Sequence, residues 1–233
     1  MRFPSPLTEG RLRRRYKRFL ADVELTGGEV LTVHCANPGA MTGLARPGMR
    51  VFLSKSDSPT RRLAWSWELV EADGTLVGIN AARPNRIAEE AIAAGTVAEL
   101  GGYEGRRREV RYGRNSRIDI LLSGDNRADA YVEVKNVHLS RSPGHAEFPD
   151  SVTARGTRHL AELADMAAAG HRAAMLYIVH RGDCGDFALA RDVDPAYGAA
   201  FDAARRAGVE MLAYACRVTT EEVVVDRRLP VVD

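Results

Sequence analysis

RIDILL (residues 117–122) and YVEVKNV (residues 131–137) are two short segments rich in β-branched and aliphatic residues, separated by a turn-forming Gly-Asp-Asn break. They predict two strands that form a hairpin or lie close together. Side chains alternate along a strand, so Glu133 and Lys135 share one face. With Asp119 on the neighbouring strand, two carboxylates and one ammonium would converge. This combination suits a hard divalent cation with a water molecule beside it.

The composition sets broad limits on the class of protein. The chain has 233 residues, of which 45% are hydrophobic and 27% charged, enough for one large domain or two small ones. No apolar run approaches the roughly 20 residues that span a bilayer, and the N-terminus lacks the apolar segment of a signal peptide. The three cysteines have no CxxC spacing, so we expect free thiols in a reducing compartment, most simply the cytoplasm.

Charge is more informative by type than by sum. The net charge is only +2, which does not by itself indicate a nucleic-acid-binding protein. Only three of the 33 basic residues are lysines (Lys17, Lys55 and Lys135), so arginine is the ordinary surface base. A lysine within a predicted strand is therefore distinctive, because a compact ammonium can approach a water molecule or a phosphate oxygen as a point charge.

The pattern along the chain predicts two domains of different character. Residues 1–82 alternate short apolar segments with Gly, Pro, Asn and Asp turns, which predicts a small OB-like β-barrel. Its strands are expected at residues 18–25, 30–34, 50–54, 62–71 and 75–79, with a short helical turn in PGAMTGL (residues 38–44).

Residues 83–233 predict a mixed α/β domain with helices packed on a central sheet. Asn85 is expected to cap a helix that ends at Gly95. The further helices are expected at residues 151–169 and 195–207, and the strands at 107–112, 117–122, 130–137, 173–180, near 187, 209–215 and 222–226. The predicted fold class is therefore α+β, with an OB-like barrel followed by a mixed-sheet domain.

The order of helix with Glu, strand with Asp, strand with Glu-x-Lys and helix resembles the PD-(D/E)xK nuclease superfamily. Five segments also resemble the sugar fermentation stimulation protein A family: RYKRFLADVEL (15–25), HCANPGAM (34–41), YGRNSRIDILL (112–122), YVEVKNV (131–137) and FPDSVTARGTRHLAEL (148–163). The resemblance implies an N-terminal OB-like domain, a C-terminal PD-(D/E)xK nuclease-like domain and DNA binding.

Asp119 and Glu133 are the candidate metal ligands, since Mg²⁺ or Mn²⁺ binds oxygen atoms and retains several waters. The superfamily implies a third ligand, the main-chain carbonyl of the residue between Glu and Lys, here Val134. Lys135 would orient the attacking water and offset phosphate charge. The alternative is a salt-bridged trio on the sheet, although burying three charges without pairing or a ligand would be costly.

Glu89 and Glu90 compete to be the helix carboxylate of the site. Ile87 marks the apolar face of the helix, and Glu90 lies on that side at i+3, whereas Glu89 points away. The family pattern Asn-x-aliphatic-x-x-Glu-Ala also matches Glu90, which is therefore the predicted catalytic residue. An ordinary surface charge remains the alternative.

Several basic and aromatic residues are candidates for nucleic-acid contact. On the helix after the site, Arg155 and His159 are i,i+4 neighbours, and the superfamily implies contact there with the scissile phosphate; a solvated helix face is the alternative. Arg117 could touch phosphate or pair with Asp119. A basic strip near the N-terminus is a candidate for the nucleic-acid backbone, with a solvated stretch as the alternative: Arg13, Arg14, Arg15 and Lys17.

Trp65 and Trp67 share one strand face, which suits either a base-stacking platform or the barrel core.

Two functions of different class fit the sequence. The first is a divalent-metal-dependent nuclease in which Asp119, Glu133, Lys135 and Glu90 cut DNA or RNA. The second is a non-catalytic, sequence-tolerant DNA-binding regulator of sugar (maltose) metabolism genes. A small phosphodiester substrate is a weaker third alternative. No membrane partner is expected, and the oligomeric state, a homodimer included, is left open.

Overall fold

The first half of the chain closes into a β-barrel. The computed structural model describes residues 1–113 and 116–232. The strands of the first half are β1 (Thr8–Tyr16), β2 (Leu20–Leu25), β3 (Val30–His34), β4 (Arg50–Lys55), β5 (Trp65–Ala72) and β6 (Thr75–Gly78). Their order is β3-β2-β1-β4-β5-β6, and an additional pairing of β3 with β5 closes a five-stranded barrel with β6 beside it. The predicted OB-like barrel is confirmed.

Strand β1 was not predicted, and its sequence explains why. Its inward positions are Gly10 and Leu12, whereas the residues between and beside them are charged and exposed: Glu9, Arg11, Arg13 and Arg14. With a single large apolar side chain facing the core, the period-two pattern is weak. The segment after Asn37, predicted to be a short helical turn, forms one hydrogen-bonded turn that is closed by Leu44 N–H to the Met41 carbonyl.

The second half contains three helices, α1 (Pro84–Ala93), α2 (Ala154–Ala168) and α3 (Pro195–Arg206), among the residues described. Its strands are β7 (Gly105–Tyr112), β8 (Ser116–Ser123), β9 (Ala130–Val137), β10 (Leu139–Ser142), β11 (His145–Phe148), β12 (Arg172–Val179), β13 (Asp186–Leu189), β14 (Glu210–Val218), β15 (Val223–Leu229) and β16 (Val231–Val232). A 3₁₀ turn covers Ala98–Leu100.

The central sheet has the order β15-β14-β12-β9-β8-β7 and is mixed, as predicted. Strands β9, β12 and β14 run parallel, while β7, β8 and β15 join antiparallel. Helix α1 covers one face, where Ile87 and Ile92 pack with Ile120 and Leu176. The other face carries α2 and α3. Strand β9 is thus covered on both faces, which can hold charged groups away from water.

Three features of the second half differ from the sequence predictions. The sequence predicted only the strand near residue 187 of a second sheet, β10-β11-β13-β16. The strands of this sheet are only two to four residues long and therefore carry a weak pattern. The predicted boundary at residues 82/83 places the first residues with the barrel, yet Met1 and Phe3 hydrogen-bond to the backbone near β15. Asn85 is not the helix cap, because α1 begins one residue earlier at Pro84, a residue favoured in the first turn.

Within residues 1–113 and 116–232, no helix has both the length and the apolar character needed to cross a membrane. Cys35, Cys184 and Cys216 are buried and free of disulfides, as the sequence predicted.

Candidate metal and phosphate site on β8 and β9

The site forms where β8 and β9 separate. Their described pairing runs from Leu122↔Ala130 to Ile120↔Val132 and does not extend to Asp119. Beyond this point the Asp119 side chain takes the place of a backbone hydrogen-bond partner for β9, because its Oδ2 atom accepts the Val134 N–H at 2.8 Å. The N–H and C=O of one strand residue point to the same neighbouring strand. The Val134 carbonyl is therefore directed to the side on which Asp119 lies.

Glu133 lies at the centre of a buried charged cluster and is only 3% exposed. Its Oε1 accepts from Lys135 Nζ at 2.8 Å and also contacts His159 Nδ1 on α2. Arg155 Nε donates to His159 Nε2 at 3.2 Å, so the neutral imidazole carries its proton on Nδ1 and donates it to Glu133. The second carboxylate oxygen of Glu133, Oε2, is buried without a hydrogen-bond partner.

The two carboxylates respond differently to their surroundings. Burial, reinforced by the negative charge of Glu133, raises the pKa of Asp119 to about 6. Burial also acts to raise the pKa of Glu133, but the hydrogen bond from His159 and the charge of Lys135 outweigh it and lower that pKa. Glu133 is therefore the ionised member, and Asp119 is the carboxyl group that holds a proton more readily.

The raised pKa of Asp119 predicts a pH dependence of stability. The unfolded value is near 3.8 and the folded value about 6, so between these values the folded state binds a proton that the unfolded state releases. This contribution to the free energy of unfolding is complete below about pH 4 and is lost as the pH rises to 6. We expect the difference between wild type and Asp119→Asn to change by about 2 kcal/mol over that window. Urea denaturation at each pH measures it, and parallel curves for the two proteins would contradict the prediction.

The structure brings together most of the predicted central residues: Asp119, Glu133, Val134, Lys135, His159 and Arg155. It also shows that Lys135 and Glu133 form a salt bridge, as the alternative interpretation expected. Among the residues described, no three His, Cys, Asp or Glu side chains are grouped to hold a metal ion. A cation here would therefore depend on two carboxylates and a main-chain carbonyl.

The structure does not bring Glu90 into this cluster. Its carboxylate contacts the N-terminal ammonium at 2.7 Å and Arg86 at 2.8 Å. The edge of α1 that faces the site carries Asn85, whose Nδ2 donates to Asp119 Oδ1 at 2.7 Å. Glu89, four residues after Asn85, shares that edge and lies 3.8 Å from Arg108 on β7. Asn85 is thus the helix residue of the site that the sequence analysis took for a cap.

The basic strip near the N-terminus is largely occupied by internal contacts. Arg13 and Arg14 pair with Glu24 and Asp22 on β2. Arg15 donates to the carbonyls of residues 37, 39 and 40, so it holds the Asn-Pro-Gly loop after β3. Lys17 is exposed in the turn between β1 and β2. Lys17 alone of the four keeps the position expected of a phosphate contact.

Arg117 is exposed on β8, opposite Arg111 of β7, and shows no described pairing with Asp119. Of the two tryptophans, Trp67 is fully buried in the barrel core and donates to the Leu69 carbonyl. Trp65 is half-buried under Lys55, whose Nζ lies 5.5 Å from the ring centroid. The core alternative holds for Trp67.

Comparison with known proteins agrees with this architecture. A family model described as the SfsA N-terminal OB domain matches residues 14–79, and one described as the sugar fermentation stimulation protein RE domain matches residues 82–222. The chain belongs to the sugar fermentation stimulation protein family. Homologues from Maricaulis maris and Rhodospirillum centenum are 56% and 57% identical, over 99% and 98% of this chain and 98% of each relative.

A solved structure of the same family covers the whole molecule. The chain is similar to SfsA from Pyrococcus furiosus, determined in complex with Ca²⁺, with a TM-score of 0.91 and 26% sequence identity. The match covers 100% of this chain and 98% of that one. The barrel and the mixed-sheet domain are therefore shared by members of the family with widely diverged sequences.

Proposed function

We propose that this member of the family is a divalent-metal-dependent nuclease that cleaves phosphodiester bonds in DNA or RNA. The observation that carries the proposal is the Oε2 atom of Glu133, which is buried without a hydrogen-bond partner. It belongs to the same cluster as Asp119 and the Val134 carbonyl, which points to the side on which Asp119 lies. A buried carboxylate oxygen without a partner is costly, and a bound cation or water would remove that cost.

The donor set fits Mg²⁺ or Mn²⁺. Asp119 accepts one hydrogen bond on each oxygen, and each carboxylate oxygen has a further lone pair. Asp119, Glu133 and the Val134 carbonyl thus supply oxygen ligands, the type that hard cations prefer. The Ca²⁺ complex of the Pyrococcus furiosus relative supports cation binding by this family, since Ca²⁺ is bound by the same ligand type. When bound, the cation would activate a water and stabilise charge on the phosphate.

The protein groups around this set have separate roles in the proposal. Lys135 is held by Glu133 and would place its ammonium near the attacking water and a phosphate oxygen. His159 is positioned by Arg155 and in turn fixes Glu133, so both act through the carboxylate. Asn85 orients Asp119 in the same way from α1. Glu90, which pairs with the N-terminal ammonium and Arg86, has no role in this arrangement.

The barrel supports a polymeric substrate in preference to a small phosphodiester. OB-fold barrels bind oligonucleotides on the face of their second and third strands and in the loops after the first and fourth strands. Here the first of these loops presents exposed Lys17, Arg18 and Phe19, and the Phe19 ring stacks on His34 of β3 with centroids 6.4 Å apart. Cations beside an exposed aromatic ring suit a single strand.

A second function is favoured by a specific observation. The salt bridge of Lys135 with Glu133 neutralises the Glu133 charge internally, and His159 also contacts that carboxylate, so the fold could serve binding alone. In that case the protein would be a sequence-tolerant DNA-binding regulator, consistent with the name of its relatives, sugar fermentation stimulation protein homolog.

One experiment separates the two functions. The purified protein is incubated with end-labelled single- and double-stranded DNA and RNA, and with bis(p-nitrophenyl) phosphate, in Mg²⁺ or Mn²⁺ and in chelator. A nuclease cuts at least one polymer only with metal. A binding protein retards nucleic acid in a gel, with an affinity that falls steeply with salt, and leaves every substrate intact. That result would contradict the nuclease proposal. Cleavage of the small diester alone would favour the third alternative.

A further inference from the structure

A cleft lies at the junction of the barrel and the mixed-sheet domain. It measures about 310 Å³, near the lower end of the range for small-ligand sites, roughly 300–1,000 Å³. Both halves of the chain contribute to its wall, which includes Arg18, Asn37, Asn136, His138, Phe148 and Asp150. Asn136 follows Lys135 on β9, and the two side chains point to opposite faces of that strand.

A relay of hydrogen bonds fixes the polar wall of the cleft. Burial alone would raise the pKa of Asp150, but hydrogen bonds from His138 and from the Met41 N–H outweigh it and hold that pKa at about 2. The ionised carboxylate can only accept, so His138 Nε2 donates to Asp150 Oδ2 at 3.2 Å. The Nδ1 atom of His138 lies 3.3 Å from Asn136 Nδ2, and in the tautomer with its proton on Nε2 alone Nδ1 accepts from that amide.

This relay leaves the amide of Asn136 partly unused. A primary amide has two N–H donors and one carbonyl acceptor, and His138 takes only one donor. The Oδ1 atom of Asn136 is buried without a hydrogen-bond partner. The side chain therefore offers an adjacent donor and acceptor, the pair with which asparagine recognises the N6 and N7 atoms of adenine.

The charge and shape of the cleft select against phosphate in it. The ionised Asp150 belongs to its wall and would repel an anion, whereas a nucleobase is uncharged. The Asp150 carboxylate packs closely against the Asn-Pro-Gly loop. This contact requires glycine at position 39, because a Cβ there would lie 2.3 Å from Asp150 Oδ2. Phe148 supplies an aromatic wall, packed against Tyr197 with ring centroids 5.1 Å apart. Arg18, exposed at the rim, is suited to an adjacent phosphate.

We infer that this cleft binds one base of a single-stranded segment of the substrate and that Asn136 selects adenine there. The inference rests on the proposed nucleic-acid function and adds a specificity site to it. The adenine edge would supply the donor that Asn136 Oδ1 lacks.

The test measures the affinity of fluorescent dA12 and dT12 single strands in chelator, where no cleavage occurs. We expect wild type to bind dA12 about tenfold more tightly, within the discrimination typical of one bidentate amide–base pair. Asn136→Ala should bring this ratio close to one while the dT12 affinity stays within about twofold. Asn136→Thr, a substitution suited to a β-strand, should behave the same way and serves if the alanine variant does not fold. Ser142→Ala, exposed on β10 outside the cleft, should keep the wild-type ratio.

Three results would overturn the base site without affecting the nuclease proposal. These are equal affinity of wild type for dA12 and dT12, an adenine preference that survives Asn136→Ala, or an equal loss of affinity for both strands in Asn136→Ala. Binding of duplex DNA without binding of either single strand would also overturn it and leave the nuclease proposal standing. If neither single strands nor duplexes of DNA or RNA bind, the nucleic-acid function itself fails and the base site fails with it.

Discussion

Replacing Asp119 with alanine is expected to lower metal-dependent cleavage by at least about 10³-fold while changing nucleic-acid affinity by less than about fivefold. Asp119 accepts the Val134 N–H and faces the same side as the Val134 carbonyl, so its removal takes away one proposed ligand and loosens another. The loss of several kcal/mol of charge stabilisation in the transition state corresponds to this change in rate. Single-turnover cleavage and fluorescence anisotropy on the same substrate measure the two effects separately.

Glu90→Gln is the informative control for that experiment. The sequence pattern favoured Glu90 as a catalytic residue, whereas its carboxylate contacts Arg86 and the N-terminal ammonium. We expect this variant to cleave at close to the wild-type rate, and Asn85→Ala to cleave more slowly because Asn85 holds Asp119. Wild-type activity in Asp119→Ala would remove the catalytic interpretation, and a large loss in Glu90→Gln would restore the original assignment.

The two strands that carry the site could be predicted from the sequence. β8 and β9 have strong β-branched alternation on either side of a turn, so their pairing and the shared face of Glu133 and Lys135 followed from local pattern. The choice between Glu89 and Glu90 could not be made in this way. The apolar stripe of α1 has two edges, one with Asn85 and Glu89 and the other with Glu90. Which edge meets the site depends on how the helix lies across the sheet, and that is a tertiary contact.

The residues of the cleft gave no local signal at all. His138 and Asp150 are twelve positions apart, and the β10–β11 hairpin between them folds back to bring them within 3.2 Å. Likewise, Arg15 was predicted to contact the nucleic-acid backbone, whereas its three acceptors are main-chain carbonyls more than twenty residues away. Contacts of a long polar side chain with distant backbone have no periodicity, so sequence pattern cannot reveal them.

A largely buried ion pair links the barrel to the mixed-sheet domain. Glu68 on β5 is 2% exposed and accepts hydrogen bonds from Ser54, Asn80 and both Nε and Nη2 of Arg83. Arg83 precedes the first residue of α1, the helix that carries Asn85. The ion pair therefore fixes the barrel to the start of the helix that positions Asp119. Loss of Arg83 would leave the carboxylate buried with neutral partners only.

We therefore expect Arg83→Met to lower the free energy of unfolding by about 3 kcal/mol, the usual cost of leaving one member of a buried ion pair uncompensated. The double variant Glu68→Gln/Arg83→Met should recover much of this loss, because it removes the unpaired charge as well. Arg86→Met is a matched control on the same helix, since its pair with Glu90 is exposed and should contribute less than about 1 kcal/mol. Chemical denaturation of the four proteins measures these differences. A double variant less stable than Arg83→Met would show that the hydrogen bonds of Glu68, and not its compensated charge, hold the two halves together.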